Sequence, residues 1–225
     1  MSERVAKPVQ PRTEKPKGVL AQSLSWTMGV IGALLVTIAI SVVVELTGIA
    51  AGWWHGNHAA GLLFVERGYI EGIEQIPLIS FKPVVVADHA EERVHAVVGH
   101  IYRDALGTQD SDPLSVYLLG AINITHLVVL RLVVTLFTLP GYLVVGLAAV
   151  IDGGVRRDIR KYTGEHESSY IFHGTKRWVL PGIMGTVSLY LLLPFSVYPA
   201  LIFAPSMMLF GYLLYVVTGR FKKFI

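Results

Sequence analysis

With no cysteine anywhere in the chain, any chemistry would have to come from its histidines, serines and carboxylates. Disulfides and thiolate metal sites are therefore excluded. Among the eight histidines, His55 and His58 lie three apart. Glu91 and His95 lie four apart, close to His89, Glu92 and His100. A four-residue spacing puts two ligands on one helix face, but a zinc site needs three or four converging from a fixed scaffold. No His-Glu-x-x-His run supplies them, and a His/Glu pair on a helix is equally well a solvated face. Ser168, Ser169 and His173 offer a nucleophile and a base, with Ser169 and His173 on one face if the segment is helical. No Gly-x-Ser-x-Gly elbow is present, and no third group is evident to orient the imidazole. A phosphate loop of the Gly-x-x-x-x-Gly-Lys type is also missing, so the chain does not itself hydrolyse nucleotides. The residues imply no enzyme, no catalytic residue, no metal and no cofactor.

The richest polar pattern lies elsewhere, between Asp152 and Trp178. Six of the nineteen Lys and Arg fall there: Arg156, Arg157, Arg160, Lys161, Lys176 and Arg177. Asp152, Asp158, Glu165 and Glu167 are interleaved with them, and Tyr162, Tyr170, Phe172 and Trp178 add aromatic surface. Such a segment can serve as an electrostatic anchor against anionic headgroups. It can also dock a partner, because arginine with aromatics is the composition of interface hot spots. The docking candidates are Asp152, Arg156, Arg157, Asp158, Arg160, Lys161, Tyr162, Glu167, Ser168, Tyr170 and His173.

The elements that position this segment are apolar and long. The chain is 53% hydrophobic and 16% charged, well below the ~25% charged residues of a soluble domain. A net charge of +3, segregated by segment, suits membrane topology rather than direct nucleic-acid binding. The expected architecture is all-α with four transmembrane helices and a small, mostly helical extracytoplasmic region. Residues 1–24 form a disordered basic cytoplasmic arm, 25–46 a first span and 47–131 the extracytoplasmic region. Residues 132–151 form the second span, 152–178 a basic cytoplasmic loop, 179–194 and 200–217 the last two spans, and 218–225 a cytoplasmic tail. The last two spans are short enough that a re-entrant hairpin is an alternative. A loop this basic stays on the cytoplasmic side, which puts both termini there too.

Trp26, Trp53, Trp54 and Trp178 read as interfacial anchors. Arg131 reads as another: it lies 21 residues, about 32 Å, from Asp152, so its side chain would reach to water at the outer boundary. Residues 114–130 would then continue outside or lie along the membrane, with Asn123 and His126 wet, and Pro140 would kink the second span. Outside the membrane, the spacing of Leu62, Val65, Tyr69 and Ile73 predicts a helix over 61–73. Residues 76–87 read as extended. Asp88 would cap a helix reaching Ala105, with Val94, Val97, Val98, Ile101 and Tyr102 as its apolar face.

The basic segment also resembles a family of inner-membrane proteins encoded on integrating conjugative elements. The residues that carry the resemblance are Asp152-Gly153, Arg157-Asp158-Ile159-Arg160-Lys161-Tyr162, Gly164, Glu167-Ser168-Ser169-Tyr170 and His173 to Arg177. Glu165 and Gly174 depart from its pattern. The resemblance implies a non-enzymatic component of a conjugative, type IV secretion-like apparatus in a bacterial inner membrane. Its partners would be lipids and other transfer-system membrane proteins, with the coupling ATPase among the candidates and a homo-oligomer as a further arrangement. A small transporter or channel-like protein is the alternative, and it would need a polar path through the spans.

Overall fold

The computed structural model describes residues 19–73, 82–107, 113–163 and 169–220. Six helices account for nearly all of them: α1 (Val19–Ala50), α2 (His58–Glu71), α3 (Pro83–Gly107), α4 (Pro113–Thr163), α5 (Ser169–Leu192) and α6 (Pro199–Gly219). No strand occurs among the described residues, so the all-α expectation holds. The basic arm falls mostly outside the described residues, at 1–18.

The chain divides into two units, Met1–Val36 and Thr37–Ile225. The first contains the leading half of α1, where Met28, Ile31, Leu35 and Val36 are exposed. In the second, α2, α3 and α6 pack on α4, and α5 packs mainly on α6. One core gathers Ile70, Ala87, Leu130, Val134, Phe137, Tyr190 and Phe203. Another gathers Ala59, Ile124, Leu127, Val128 and Leu191, with Ile38 and Val42 of α1 against it.

Among the described residues three helices, not four, are long and apolar enough to cross a membrane: Ile31–Ala50, Leu114–Arg160 and Pro199–Gly219. The expected span at 179–194 falls short because α5 starts early. The first ten residues of α5, Ser169–Trp178, are largely polar, leaving an apolar stretch of only about 21 Å. The segment 152–178, expected to be a loop, is mostly the end of α4 and the start of α5. The turn between the last two helices lies at 193–198, close to where Pro194 and Pro199 place it.

The largest difference concerns α4, a single helix of 51 residues, about 77 Å long. It continues through Pro140. Its leading part is neither wet nor laid along a surface, since α2 and α3 cover it and His126 is buried. Asn123 is partly buried. α3 also begins earlier than expected. Pro83 opens it, as proline suits a first helical turn where the missing N–H costs nothing, so residues 83–87 are helical rather than extended. Asp88 lies inside the helix instead of capping it. On α3, Pro83 and Ala87 are buried, Val94 and Val98 are partly buried and Val97 is exposed, while the side chains of Ile101 and Tyr102 lie outside the described residues.

Candidate functional site

Two polar clusters mark the ends of the α4–α6 pair. At one end, Arg131 is buried, 1% exposed, where the sequence suggests a side chain reaching water. Its Nε donates to Glu66 Oε1 at 3.0 Å. Its terminal nitrogens donate to the carbonyls of Leu193 at 2.5 Å and Phe195 at 2.9 Å. The hydroxyl of Tyr190 donates to the other Glu66 oxygen at 2.9 Å, and the guanidinium lies 5.4 Å from the Tyr190 ring centroid. The last carbonyls of a helix have no partner within it and carry partial negative charge. Arg131 supplies donors and charge to the turn that follows α5, at Leu193 and Phe195, and a longer contact of 3.5 Å to the Leu191 carbonyl in the last turn of α5. This corrects the anchor role: a charge this deeply buried persists only when paired and fully hydrogen-bonded.

Glu66 reaches Arg131 because α2 turns an unexpected face inward. Ala59, Glu66 and Ile70 are buried, while Val65 and Phe64 are exposed. Sequence reasoning missed Glu66 and Tyr190. The signal was present: Ala59, Leu63, Glu66 and Ile70 form a stripe at helical spacing, interrupted by one acid, and α4 holds one cation, Arg131, in its long apolar run.

A second buried carboxylate ties α1 to α2. Glu45, 1% exposed, accepts from Ala59 N–H at 3.2 Å and pairs with His58 Nδ1 at 3.0 Å. The Ala59 N–H belongs to the first turn of α2, where no intrahelical acceptor exists. Trp54 stacks on His58, with centroids 4.6 Å apart, and its Nε1 donates to the Glu45 carbonyl. This packing needs Gly48, since any Cβ there would meet the Trp54 ring at about 1.9 Å. Trp54 therefore folds back onto α1, whereas Trp53 and Trp178 are exposed. The side chain of Trp26 lies outside the described residues. On α2 and α3, Arg67 bridges Asp88, Glu91 and Glu71. Its pKa is held above the usual arginine value, chiefly by the hydrogen bond to Asp88. Among the described residues no group of three His, Asp or Glu could hold a metal ion.

At the other end of α4, beyond Gly153, the helix presents two different faces. One faces α6. Arg156 donates to the Tyr215 hydroxyl and lies over that ring, and Arg160 donates to the Gly219 carbonyl at 2.6 Å. The close approach depends on Gly153, where a Cβ would come within 2.8 Å of the Tyr215 carbonyl oxygen. Small residues at such crossings are how membrane helices draw together. The opposite face carries Ile151, Val155, Ile159 and Tyr162, exposed by 68%, 53%, 57% and 91%. Asp152 and Asp158 are exposed beside it, and Arg157 is partly buried. Of the remaining docking candidates, Glu167 and Ser168 lie outside the described residues, as do the side chains of Lys161, Tyr170 and His173. Arg131 and Gly153 are 22 residues apart, about 33 Å along α4, close to the ~30 Å hydrocarbon thickness.

No curated protein and no solved structure matches this chain. One family model does, over residues 71–222, and its description is IncC plasmid conjugative DNA transfer protein DtrJ-like. The match takes in α3 to α6, hence Arg131 with the α5 end that it holds and the whole basic end of α4 and α6. By that match the chain belongs to the DtrJ-like family of plasmid conjugative DNA transfer proteins.

Proposed function

We propose that this chain is a non-enzymatic inner-membrane component of a conjugative, type IV secretion-like apparatus, and that it docks another transfer-system protein through the end of α4. The carrier expected from the sequence resemblance, an integrating conjugative element, is part of the same proposal. One observation carries the docking role: the exposed stripe Val155, Ile159 and Tyr162, at helical spacing, on a helix whose other face is fixed to α6. Arginines and aspartates interleave the stripe, which suits an aqueous boundary rather than hydrocarbon. Apolar anchors rimmed by charge are the usual make-up of a binding surface. A partner with an apolar centre and acidic rim fits it, and a coupling ATPase on the cytoplasmic side is one such candidate. The extracytoplasmic region, α2 and α3 on the leading part of α4, is the second proposed contact, with envelope proteins of the apparatus.

The proposed orientation puts both termini in the cytoplasm. α1 and α4 cross in opposite directions, and α5 with α6 forms a hairpin that enters and leaves on the cytoplasmic side. Two contacts support it. The end of α5 is held at Arg131, and the end of α6 is held at Arg160. Positive charge concentrated at the Arg156 end favours that end facing inward. The transporter alternative gains little. The cavity beside Pro140, about 370 Å³, is walled mainly by apolar residues such as Phe137, Phe203 and Met207, with Tyr69, Thr138 and Tyr198 as its polar side chains and no charged residue among the described ones, which gives a hydrated ion little in exchange for its water.

The test is Ile159→Asp with Tyr162→Ala, scored by transfer frequency and by pull-down from membranes. The expected result is a loss of at least tenfold in transfer at normal protein level, with at least one transfer-system protein missing from the pull-down. Unchanged transfer and unchanged partners would defeat the docking reading.

A further inference from the structure

We propose that the cavity between the ends of α4 and α6 binds the phosphate of an anionic lipid headgroup. The cavity, about 110 Å³, is lined by Arg156, Arg160 and Arg220, with Tyr212 and Tyr215 beside them, and among the described residues no carboxylate is in its wall. Three arginines thus line one small space. The end of α6 adds about half a negative charge nearby, less than the charge of the three side chains.

Two of the arginines are held through their side chains and the third through its backbone. Arg156 is fixed by the Tyr215 hydroxyl and ring, and Arg160 by the Gly219 carbonyl. Arg220 follows the last residue of α6 directly and closes its end. Arginine's planar five-donor fork matches phosphate oxygens in pairs, and fixing one corner of the fork beforehand reduces the ordering needed on binding.

The position selects the source of the phosphate. α4 and α6 are both long and apolar enough to cross a membrane, and the cavity lies where both reach their basic ends. Lipid phosphates concentrate at that level, and basic pockets between membrane helices take anionic headgroups. Tyr212, 64% exposed, adds an amphipathic ring of the kind enriched at headgroup depth. The inference requires that α4 and α6 cross a membrane. It does not depend on the docking role, which uses the opposite face of α4.

The experiment uses the full chain, delipidated in neutral detergent and titrated with phosphatidylglycerol, cardiolipin, phosphatidylcholine or inorganic phosphate, with bound species counted by native mass spectrometry. Phosphatidylglycerol and cardiolipin are expected to bind at least tenfold tighter than phosphatidylcholine. Arg220→Gln leaves the Arg156 and Arg160 hydrogen bonds intact, so it keeps the test informative if Arg160→Gln fails to fold. Each substitution should weaken binding about fivefold, and all three together on the order of a hundredfold. Arg177→Gln, exposed on α5, should bind as the wild type does. Wild-type affinity in Arg220→Gln, or an equal loss in Arg177→Gln, overturns the site. Inorganic phosphate binding as tightly as the lipids overturns the lipid source. Binding of neither anion leaves the cavity to an acidic protein segment and overturns the proposal outright.

Discussion

The Arg131 end and the Arg156 end of α4 use the same residue type for opposite purposes. Arg131 is buried among a carboxylate, two close carbonyls and an aromatic ring of its own chain. It holds α2, α4 and α5 together. Arg156 and Arg160 reach across to α6, Arg156 to the Tyr215 hydroxyl and ring and Arg160 to the Gly219 carbonyl; they remain partly or fully exposed and border a cavity shared with Arg220. A guanidinium walled in by its own fold acts as a fastener. One that borders a cavity at the helix end is where the lipid proposal places phosphate. The contrast lies in what covers the side chain, since the helix beneath is the same.

The comparison breaks most sharply at Arg131. Arg131→Ala leaves Glu66 buried without its cation and α5 without its end partner, and should cost about 3–5 kcal/mol. Unfolding in detergent, or loss of protein from membranes, measures it. Glu66→Met with Arg131→Met should recover part of that loss, because no lone charge remains. Failure of any recovery would mean that Arg131 acts mainly through the α5 carbonyls.

Next comes Tyr190→Phe, which removes one hydrogen bond to a charged acceptor and should cost about 1.5–3 kcal/mol. The same unfolding assay reads it, and a null effect would remove Tyr190 from the fastener. Gly153→Val tests the other end. The new side chain meets backbone of α6, so about 1–3 kcal/mol of overpacking is expected. A cysteine cross-link between the two helix ends would report their separation. The smallest effect belongs to Arg156→Ala. Its contact with Tyr215 is exposed, so stability should change by less than ~1 kcal/mol, while lipid binding falls. A large loss of stability there would erase the distinction between the two ends.

Helical class, apolar spans and the basic segment were legible because they depend on local composition and period. The turn near Pro194–Pro199 was legible for the same reason, since proline punctuates the chain locally. The facing of α2 was not. Apolar periodicity put Leu62 and Val65 inward; Leu62 does pack against a core, but Val65 is exposed and Glu66 is inward instead, paired with Arg131, 65 residues later. The continuity of α4 was missed because membrane thickness was taken to limit helix length. A helix exceeds that limit once other helices, here α2 and α3, cover its surplus.

By itself the sequence determined that this chain is helical, membrane-length in its apolar tracts and basic between Arg156 and Arg177. Those properties are sums over neighbouring residues, so folding does not alter them. Only the tertiary structure decided which charges are spent inside and which are presented outside. Pairing of Glu66 with Arg131, the hold of Arg131 on the turn after α5, and the meeting of Arg156, Arg160 and Arg220 at one cavity each join residues distant in the chain. Burial of a charge is settled by whatever partner the fold brings to it.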